Sequence, residues 1–127
     1  MKALSVRQPW ASLIAEGYKT IEIRSRPWQY RGPLVICSTA KPSPDAWIDG
    51  ADGKRLKLPC GVAVCVVEMV DSRPLTPRDA KAAGFTWRLT KRDCEGQWAW
   101  VLANAREVKH VPVKGQLQPW DWQGEPL

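Results

Sequence analysis

The sequence predicts an α+β fold, namely one small, mostly antiparallel β-barrel with a few short helices. Several short segments alternate apolar and polar residues or form apolar runs bounded by turn residues, which is typical of strands. Fewer segments carry the capping residue, proline and terminal glycine of a short helix, and one of these separates the first strand from the rest. With 127 residues, the chain fits a single domain over 1–127.

The first quarter of the chain predicts a strand, a helix and a second strand. Residues 2–6 alternate and form the first strand. Pro9 stands at the first turn of a helix whose apolar residues lie at helical spacing over 10–15, and Gly17 caps its C-terminus. The pattern becomes period two over 20–24, which predicts the next strand.

The middle of the chain contains the strongest strand signal. Residues 34–37 form an apolar run that predicts a buried strand, and 43–47 have the cap and proline of a helix start. The polar, glycine-bearing stretch 49–59 is predicted to be a surface loop. Residues 61–70 then predict the most apolar strand of the chain.

The last third predicts one further helix and two late strands. Residues 76–84 begin with a capping threonine and a proline and end at a glycine, so they predict a short helix. Residues 98–102 and 106–113 predict two strands. Residues 119–127 have no clear periodicity, and no repeat or linker interrupts the chain.

Composition indicates an ordinary soluble protein. Hydrophobic residues make up 44% and charged residues 25% of the chain. The longest apolar run, 62–67, is too short to cross a bilayer, and the first residues lack the pattern of a secretory signal. We therefore expect a cytoplasmic protein without membrane contact, present as a monomer or a weak dimer.

The cysteines and the histidine do not predict a metal site. Cys37, Cys60, Cys65 and Cys94 show no two-residue ligand spacing, and the single histidine, His110, stands apart from them. Cys37 and Cys65 lie in apolar runs, where a reduced thiol behaves as a small hydrophobe. We expect buried thiols, a structural or exposed histidine, and neither a metal nor a cofactor.

The charge distribution favours an anionic partner. The chain has 19 Lys and Arg against 13 Asp and Glu, a formal net charge of +6. Residues 1–31 hold much of this excess, because they contain six cationic and two acidic side chains. These are Lys2, Arg7, Lys19, Arg24, Arg26 and Arg31 against Glu16 and Glu22. The alternative is that such a surface only keeps a small protein soluble.

Four residues in the second predicted strand and the turn before it carry a family resemblance. Gly17, Lys19, Glu22 and Arg24 form a Gly-x-Lys-x-x-Glu-x-Arg segment that strongly resembles the hallmark of the ASCH domain family. Flanking stretches over 4–14, 30–34, 39–42 and 113–115 resemble the family too. The resemblance implies a PUA-like β-barrel with a cleft between the barrel and its first helices, and an association with RNA or other nucleic acids. Because free-standing members of the family are bacterial and phage proteins, we expect such an origin.

The period-two pattern places part of this hallmark on one side of a strand. Glu22 and Arg24 point to the same side, and Lys19 at the preceding turn can reach them. Arg24 could bind a phosphate or a base edge through two parallel donors, Lys19 could act as a point charge, and Glu22 could accept from an amino group. A purely structural salt bridge between them is the competing interpretation.

Further candidate ligand contacts lie around the hallmark. Arg7 and Gln8 precede a predicted helix start, where anions are favoured, although Gln8 could instead cap the turn. The chain has eight tryptophans, and Trp28 and Tyr30 in a loop with Arg31 are the best base-stacking candidates. Trp10 is expected to pack in the core, and Trp98 and Trp100, which share one strand face, either pack or form a base-stacking shelf. The predicted ligand-binding set is Arg7, Gln8, Lys19, Glu22, Arg24, Trp28, Tyr30, Arg31 and Lys41.

Three functions fit the sequence. The first is a non-catalytic module that binds RNA, another nucleic acid or a modified nucleoside in a basic cleft. The second is a small hydrolase, either a ribonuclease or an amidohydrolase for an acylated nucleoside such as N4-acetylcytidine, in which Lys19 and Glu22 would be catalytic. A bacterial branch that looks related uses a lysine and a threonine in this segment, and Glu22 replaces that threonine. The third is a protein-interaction module that uses exposed tryptophans as anchors.

Overall fold

The computed structural model describes residues 1–41, 46–124 and 127 of the chain. It confirms the predicted α+β fold, which consists mostly of strands with two short helices. The helices are α1, Trp10–Ala15, and α2, Lys91–Cys94, and a 3₁₀ turn spans Pro77–Asp79. The strands are β1, Lys2–Val6; β2, Ile21–Arg24; β3, Gly32–Ser38; β4, Trp47–Asp49; β5, Arg55–Lys57; β6, Ala63–Pro74; β7, Trp98–Glu107; and β8, Trp120–Asp121.

Six of these strands form one sheet in the order β2-β7-β6-β3-β1-β8. The β1 and β3 strands run parallel, as the crossover through α1 and β2 requires, and every other pair in the sheet is antiparallel. The two remaining strands, β4 and β5, form a separate hairpin.

The sheet curls into a partly open barrel. Strand registers shift within the β3–β6 pair and at two points in the β6–β7 pair, and such bulges bend a strand and increase its twist. As a result, Arg24 on edge strand β2 reaches β1, the fifth strand of the sheet, and its Nη2 donates to the carbonyl of Ser5 at 2.9 Å. A side chain thus links two strands across the open side of the barrel.

The core lies on both faces of the sheet. Inside the curl, Ala11 and Ile14 of α1 pack against side chains such as Leu34 and Ile36 of β3. On the outer face, Val35 and Cys37 are also buried, because the C-terminal segment with Trp120 and Trp122 covers them. Because β3 is buried on both faces, the run Leu34-Val35-Ile36-Cys37 has no polar member.

The segment 76–84 is not the helix that the sequence predicted. Its N-terminal cap is confirmed, but only Pro77–Asp79 is helical, in the 3₁₀ form, and turns follow up to Gly84 at φ +90°. The carbonyl of Ala82 accepts the amides of Thr20 and Ile21, at 2.8 and 3.1 Å. These bonds attach the turns that follow the 3₁₀ segment to the start of β2.

The two predicted late strands are in fact one strand and an extended tail. β7 runs without a break from Trp98 to Glu107, with Asn104 at φ 54° where the register against β6 shifts. The bulge interrupts the alternation of apolar and polar residues, so the sequence predicts two strands where the structure has one. The rest of the second predicted strand, 108–113, lies beyond β7 and forms one isolated bridge, from Pro112 to Val62, and His110 within it is exposed.

Three smaller differences concern short elements. The predicted surface loop 49–59 contains most of the β4–β5 hairpin, whose strand residues are all exposed. The predicted helix start at 43–47 lies partly outside the described residues, and Trp47 begins β4 instead. Helix α2 was not predicted, although Thr90 and Asp93 form a capping box at its start.

Asp79 should make folding stability depend on acid pH. Hydrogen bonds from Arg73, at 2.8 and 2.9 Å, lower the pKa of Asp79 from 3.8 to about 2, with further help from Thr76. Because the folded pKa is lowered, the stabilisation is complete above pH 4 and is lost as the pH falls through about 2. We expect Asp79→Asn to lower the free energy of unfolding by about 1 kcal/mol at pH 7.

Urea denaturation of both forms between pH 7 and pH 2 would measure this difference, which should shrink below pH 4. The matched control is Asp121→Asn, which removes a carboxylate from the exposed pair with Lys2 and should have a much smaller effect. A difference for Asp79→Asn that stays constant down to pH 2 would contradict the assignment.

Candidate ligand-binding cleft

A cleft of about 630 Å³ opens beside the point where Arg24 spans the barrel. Its walls come from four segments, namely the end of β1 with the start of α1, the strand β2, residues 39–41, and residues 115–117. The lining residues are Ser5, Val6, Arg7, Trp10, Glu22, Ile23, Arg24, Thr39, Ala40, Lys41, Gly115, Gln116 and Leu117.

Lys19 lies behind this cleft and does not line it. Its ammonium donates to the carbonyls of Ile21 at 2.6 Å and Ala83 at 2.7 Å, and lies 3.5 Å from Oε1 of Glu22. Burial lowers the pKa of Lys19, while the nearby Glu22 carboxylate acts in the opposite direction. Three oxygen atoms therefore satisfy the three donors of a buried cation, and one of them belongs to the cleft wall.

Glu22 and Arg24 lie side by side on the cleft wall, as the period-two pattern predicted. Oε2 of Glu22 accepts from Nε of Arg24 at 3.1 Å and from Nη2 at 2.8 Å. The guanidinium also lies 5.7 Å from the ring centroid of Trp100. Within the described ranges, Nη1 of Arg24 has no hydrogen-bond partner. The carboxylate is thus held from behind by Lys19 and from the side by Arg24.

Two further cationic side chains line the cleft at sites distant in sequence. Arg7 follows β1 and Lys41 follows β3, and both are exposed. The cleft lining therefore has three cations, Arg7, Arg24 and Lys41, and one carboxylate, Glu22. The parallel pairing of β1 with β3 explains why their C-terminal ends meet at one edge of the sheet.

Gln8 is a structural residue, in agreement with the capping alternative. Only 2% of it is exposed, and both ends of its side-chain amide are used. Nε2 donates to the carbonyl of Pro59 at 2.8 Å, and Oε1 accepts the amide of Ser12 at 3.0 Å in the first turn of α1. It therefore fixes the start of α1 next to the cleft without lining it.

The predicted stacking loop also lies outside the cleft. The Trp28 ring packs 5.0 Å from both Tyr30 and Trp100, and all three belong to the inner core cluster or pack against it. Arg31 donates from Nη1 to the carbonyls of Trp28 at 2.8 Å and Tyr30 at 2.9 Å. These two hydrogen bonds stabilise the loop to which Arg31 belongs. These aromatic residues support β7 from inside the barrel.

Several lining residues carried no signal in the sequence. Ser5, Thr39, Gln116 and Leu117 come from separate segments, and each has a type common on any surface. The hydroxyl of Ser5 is nevertheless unusual, because it is buried and has no hydrogen-bond partner among the described residues. Only the parallel β1–β3 pair and the return of the C-terminal segment bring these residues together.

Among residues 1–41, 46–124 and 127, no three His, Cys, Asp or Glu side chains come together as metal ligands. Cys37 and Cys65 are buried as predicted, and burial raises the pKa of each thiol to about 12. No helix in the described part of the chain is long and apolar enough to cross a membrane.

Removing the Lys19 ammonium should strongly destabilise the protein. In Lys19→Met the apolar stem is kept, but Ala83 and Ile21 lose a donor and Glu22 loses its nearest buried cation. We expect the free energy of unfolding, measured by urea denaturation, to fall by about 3 kcal/mol or more. The exposed Lys81→Met is the matched control, and a loss of less than about 1 kcal/mol for Lys19→Met would contradict this role.

Comparisons with known proteins agree with the fold. The ASCH domain model matches residues 4–112. Activating signal cointegrator 1 from Homo sapiens is 57% identical in an alignment of length 129 that covers 92% of this chain and 21% of that protein. The Mus musculus protein of the same name is 28% identical over the same length and coverage. The chain thus spans about a fifth of the length of these relatives.

Two solved structures share the fold. The crystal structure of ASCH from Zymomonas mobilis superposes with a TM-score of 0.59 at 15% identity, over 87% of this chain and 72% of that one. A single-substitution variant of the same bacterial protein gives 0.56 at 14% identity, over 87% and 74%. These relatives are mammalian and bacterial, so a bacterial or phage origin stays a prediction.

The family assignment depends on the domain match and on the hallmark, two of whose residues, Glu22 and Arg24, line the cleft. With 4–112 matched and Gly17, Lys19, Glu22 and Arg24 in place, this chain belongs to the ASCH domain family.

Proposed function

We propose that this chain binds RNA in the cleft bordered by Arg7, Arg24 and Lys41, without catalysing a reaction. The observation that carries the proposal is the lining itself, with three cations from distant segments around a single anchored carboxylate. A groove with this charge pattern attracts a phosphate backbone and leaves one acceptor to contact a base.

The two exposed cations supply the phosphate contacts. Arg7 and Lys41 extend from the C-terminal ends of two neighbouring parallel strands, so they lie at the same edge of the cleft. Long, flexible cations at a rim neutralise phosphate charge and release counterions, whatever the base sequence. They account for affinity and not for selectivity.

The Glu22–Arg24 pair supplies the base contact. Glu22 is an acceptor, and Nη1 of Arg24 is a donor with no partner in the described ranges, so the pair presents an acceptor beside a donor. The edges of nucleobases carry the same two kinds of group, and a carboxylate can accept the amino group of cytosine. The proposed ligand is therefore single-stranded RNA or a nucleoside unit within it.

The positions of Lys19 and Glu22 favour binding over hydrolysis. A catalytic Lys19 would need its ammonium at the cleft, whereas its donors point to Ile21, Ala83 and Glu22 behind the wall. Glu22 is held between two cations, 3.5 Å from Nζ of Lys19 and 2.8 Å from Nη2 of Arg24, which suits a fixed hydrogen-bond acceptor.

We expect Lys41→Gln to weaken binding of a single-stranded RNA oligonucleotide and to reduce its salt dependence, because one phosphate contact is lost. Fluorescence anisotropy over a series of salt concentrations would measure the slope of log K against log salt, which should decrease by about 0.7. Lys91→Gln, on the exposed first position of α2, removes the same charge away from the cleft lining and should leave the slope nearly unchanged.

Two outcomes would overturn the proposal. Binding that does not respond to salt, or equal slopes for Lys41→Gln and Lys91→Gln, would mean that the cleft does not hold a phosphate backbone. Turnover of N4-acetylcytidine or RNA by the unmodified chain, lost in Glu22→Ala, would replace binding by hydrolysis.

A further inference from the structure

A second cavity of about 580 Å³ adjoins the cleft. It lies between residues 111–116 and 120–124 on the outer side of the C-terminal segment. Gly115 and Gln116 line both cavities, so a single stretch of backbone separates them. The two cavities are therefore neighbours that one extended ligand can occupy.

The wall between the cavities is thin because Gly115 lies directly on β1. A Cβ atom built on Gly115 would be 2.5 Å from Oγ of Ser5, closer than any side chain allows. That Oγ is the buried hydroxyl without a partner among the described residues. A side chain at position 115 would lift this backbone from β1 and change both cavities together.

The second cavity has the chemistry of a base-binding pocket. Trp120 and Trp122 line it, together with Gln116, Gln123 and Lys114, whose side chains end in amides and an ammonium. Both tryptophans also pack on the outer core of the sheet, and the amide of Trp122 donates to the carbonyl of Met1 at 2.8 Å. Rings fixed in this way form a stacking surface, while amides can hydrogen-bond a base edge.

We propose that this second cavity holds the base next to the one in the cleft, so that the chain binds a dinucleotide unit of an RNA strand and not a free nucleoside. Unstacked bases of single-stranded RNA splay into separate protein pockets, and Lys114 lies at this cavity to pair with the connecting phosphate. The inference rests on the proposed RNA-binding function, because it extends the same ligand beyond the cleft.

The test compares ligands of equal charge. Isothermal titration of the whole chain would use a 5′-phosphorylated dicytidine ribonucleotide, and the same molecule with its second base removed. We expect the complete dinucleotide to bind about 10-fold more tightly than the abasic form, the usual contribution of one stacked base. In Trp122→Leu, which keeps an apolar side chain on the outer core, this ratio should fall close to one while the abasic ligand binds as before.

A second variant keeps the test valid if Trp122→Leu does not fold. Gln123→Ala removes an exposed amide and its one hydrogen bond, to the carbonyl of Asp121, and should reduce the ratio several-fold, whereas Gln29→Ala, exposed and outside both cavities, should not. Equal binding of the two ligands by the unmodified chain would overturn the second site and leave RNA binding in the cleft intact. The second site would also be overturned if the affinity ratio between the complete and the abasic dinucleotide persisted in both Trp122→Leu and Gln123→Ala. No binding of either ligand would instead remove the RNA-binding function and the inference with it.

Discussion

The buried ammonium of Lys19 is the constraint on which the rest of the site depends. A cation with almost no exposure to solvent must find three oxygen acceptors within the protein, and it takes them from β2, from the turn after the 3₁₀ segment, and from the carboxylate of Glu22. That carboxylate binds Arg24, which in turn reaches the carbonyl of Ser5 on β1. One chain of polar contacts thus connects a distant turn to both sides of the open barrel.

This chain of contacts gives each hallmark residue a different task. The exposed fraction of the side chain rises from 3% for Lys19 to 12% for Glu22 and 25% for Arg24, so the three groups form a gradient from core to solvent. Lys19 stabilises the buried end of this group, Glu22 connects the two cations, and Arg24 faces the cleft. Gly17, at φ +83°, ends α1 so that the chain can turn Lys19 inward. The same network of salt bridges is therefore structural at Lys19 and lines the cleft at Glu22 and Arg24.

Local signals in the sequence could predict the arrangement of one cleft wall. The alternation over 20–24 correctly placed Glu22 and Arg24 on one side of a strand, and the glycine cap after α1 was equally clear. The depth of Lys19 could not be predicted, because its acceptor on Ala83 lies 64 residues away in the sequence. The same holds for Gln8, whose partner Pro59 is 51 residues distant, and for the lining contributed by 115–117. Strand pairing between distant segments determines where Lys19, Gln8 and residues 115–117 lie, and residue type alone does not predict that pairing.

The fold differs from the prediction where distant contacts accompany a local pattern. The 76–84 segment has a capping box at its start, yet only one 3₁₀ turn forms, and the carbonyls of Ala82 and Ala83 in the turns that follow accept from residues 19–21. In β7, a bulge at Asn104 interrupts the alternation although the strand continues to Glu107. In both places the local pattern alone does not predict the backbone, because partners far away in the sequence contribute to it.

The division between anchored and exposed groups also determines how the cleft would recognise a ligand. Glu22 and Arg24 are held by Lys19, Ser5 and Trp100, so little conformational freedom remains for them to lose on binding. Lys41 is a long side chain at an exposed rim, and ordering it would cost entropy that the phosphate attraction must offset. Under the proposed function, selectivity would arise from the anchored pair, whose geometry is set before the ligand arrives, whereas affinity would arise from the rim and change with salt. Such a site would keep its base preference over a range of ionic strength in which its affinity falls steeply.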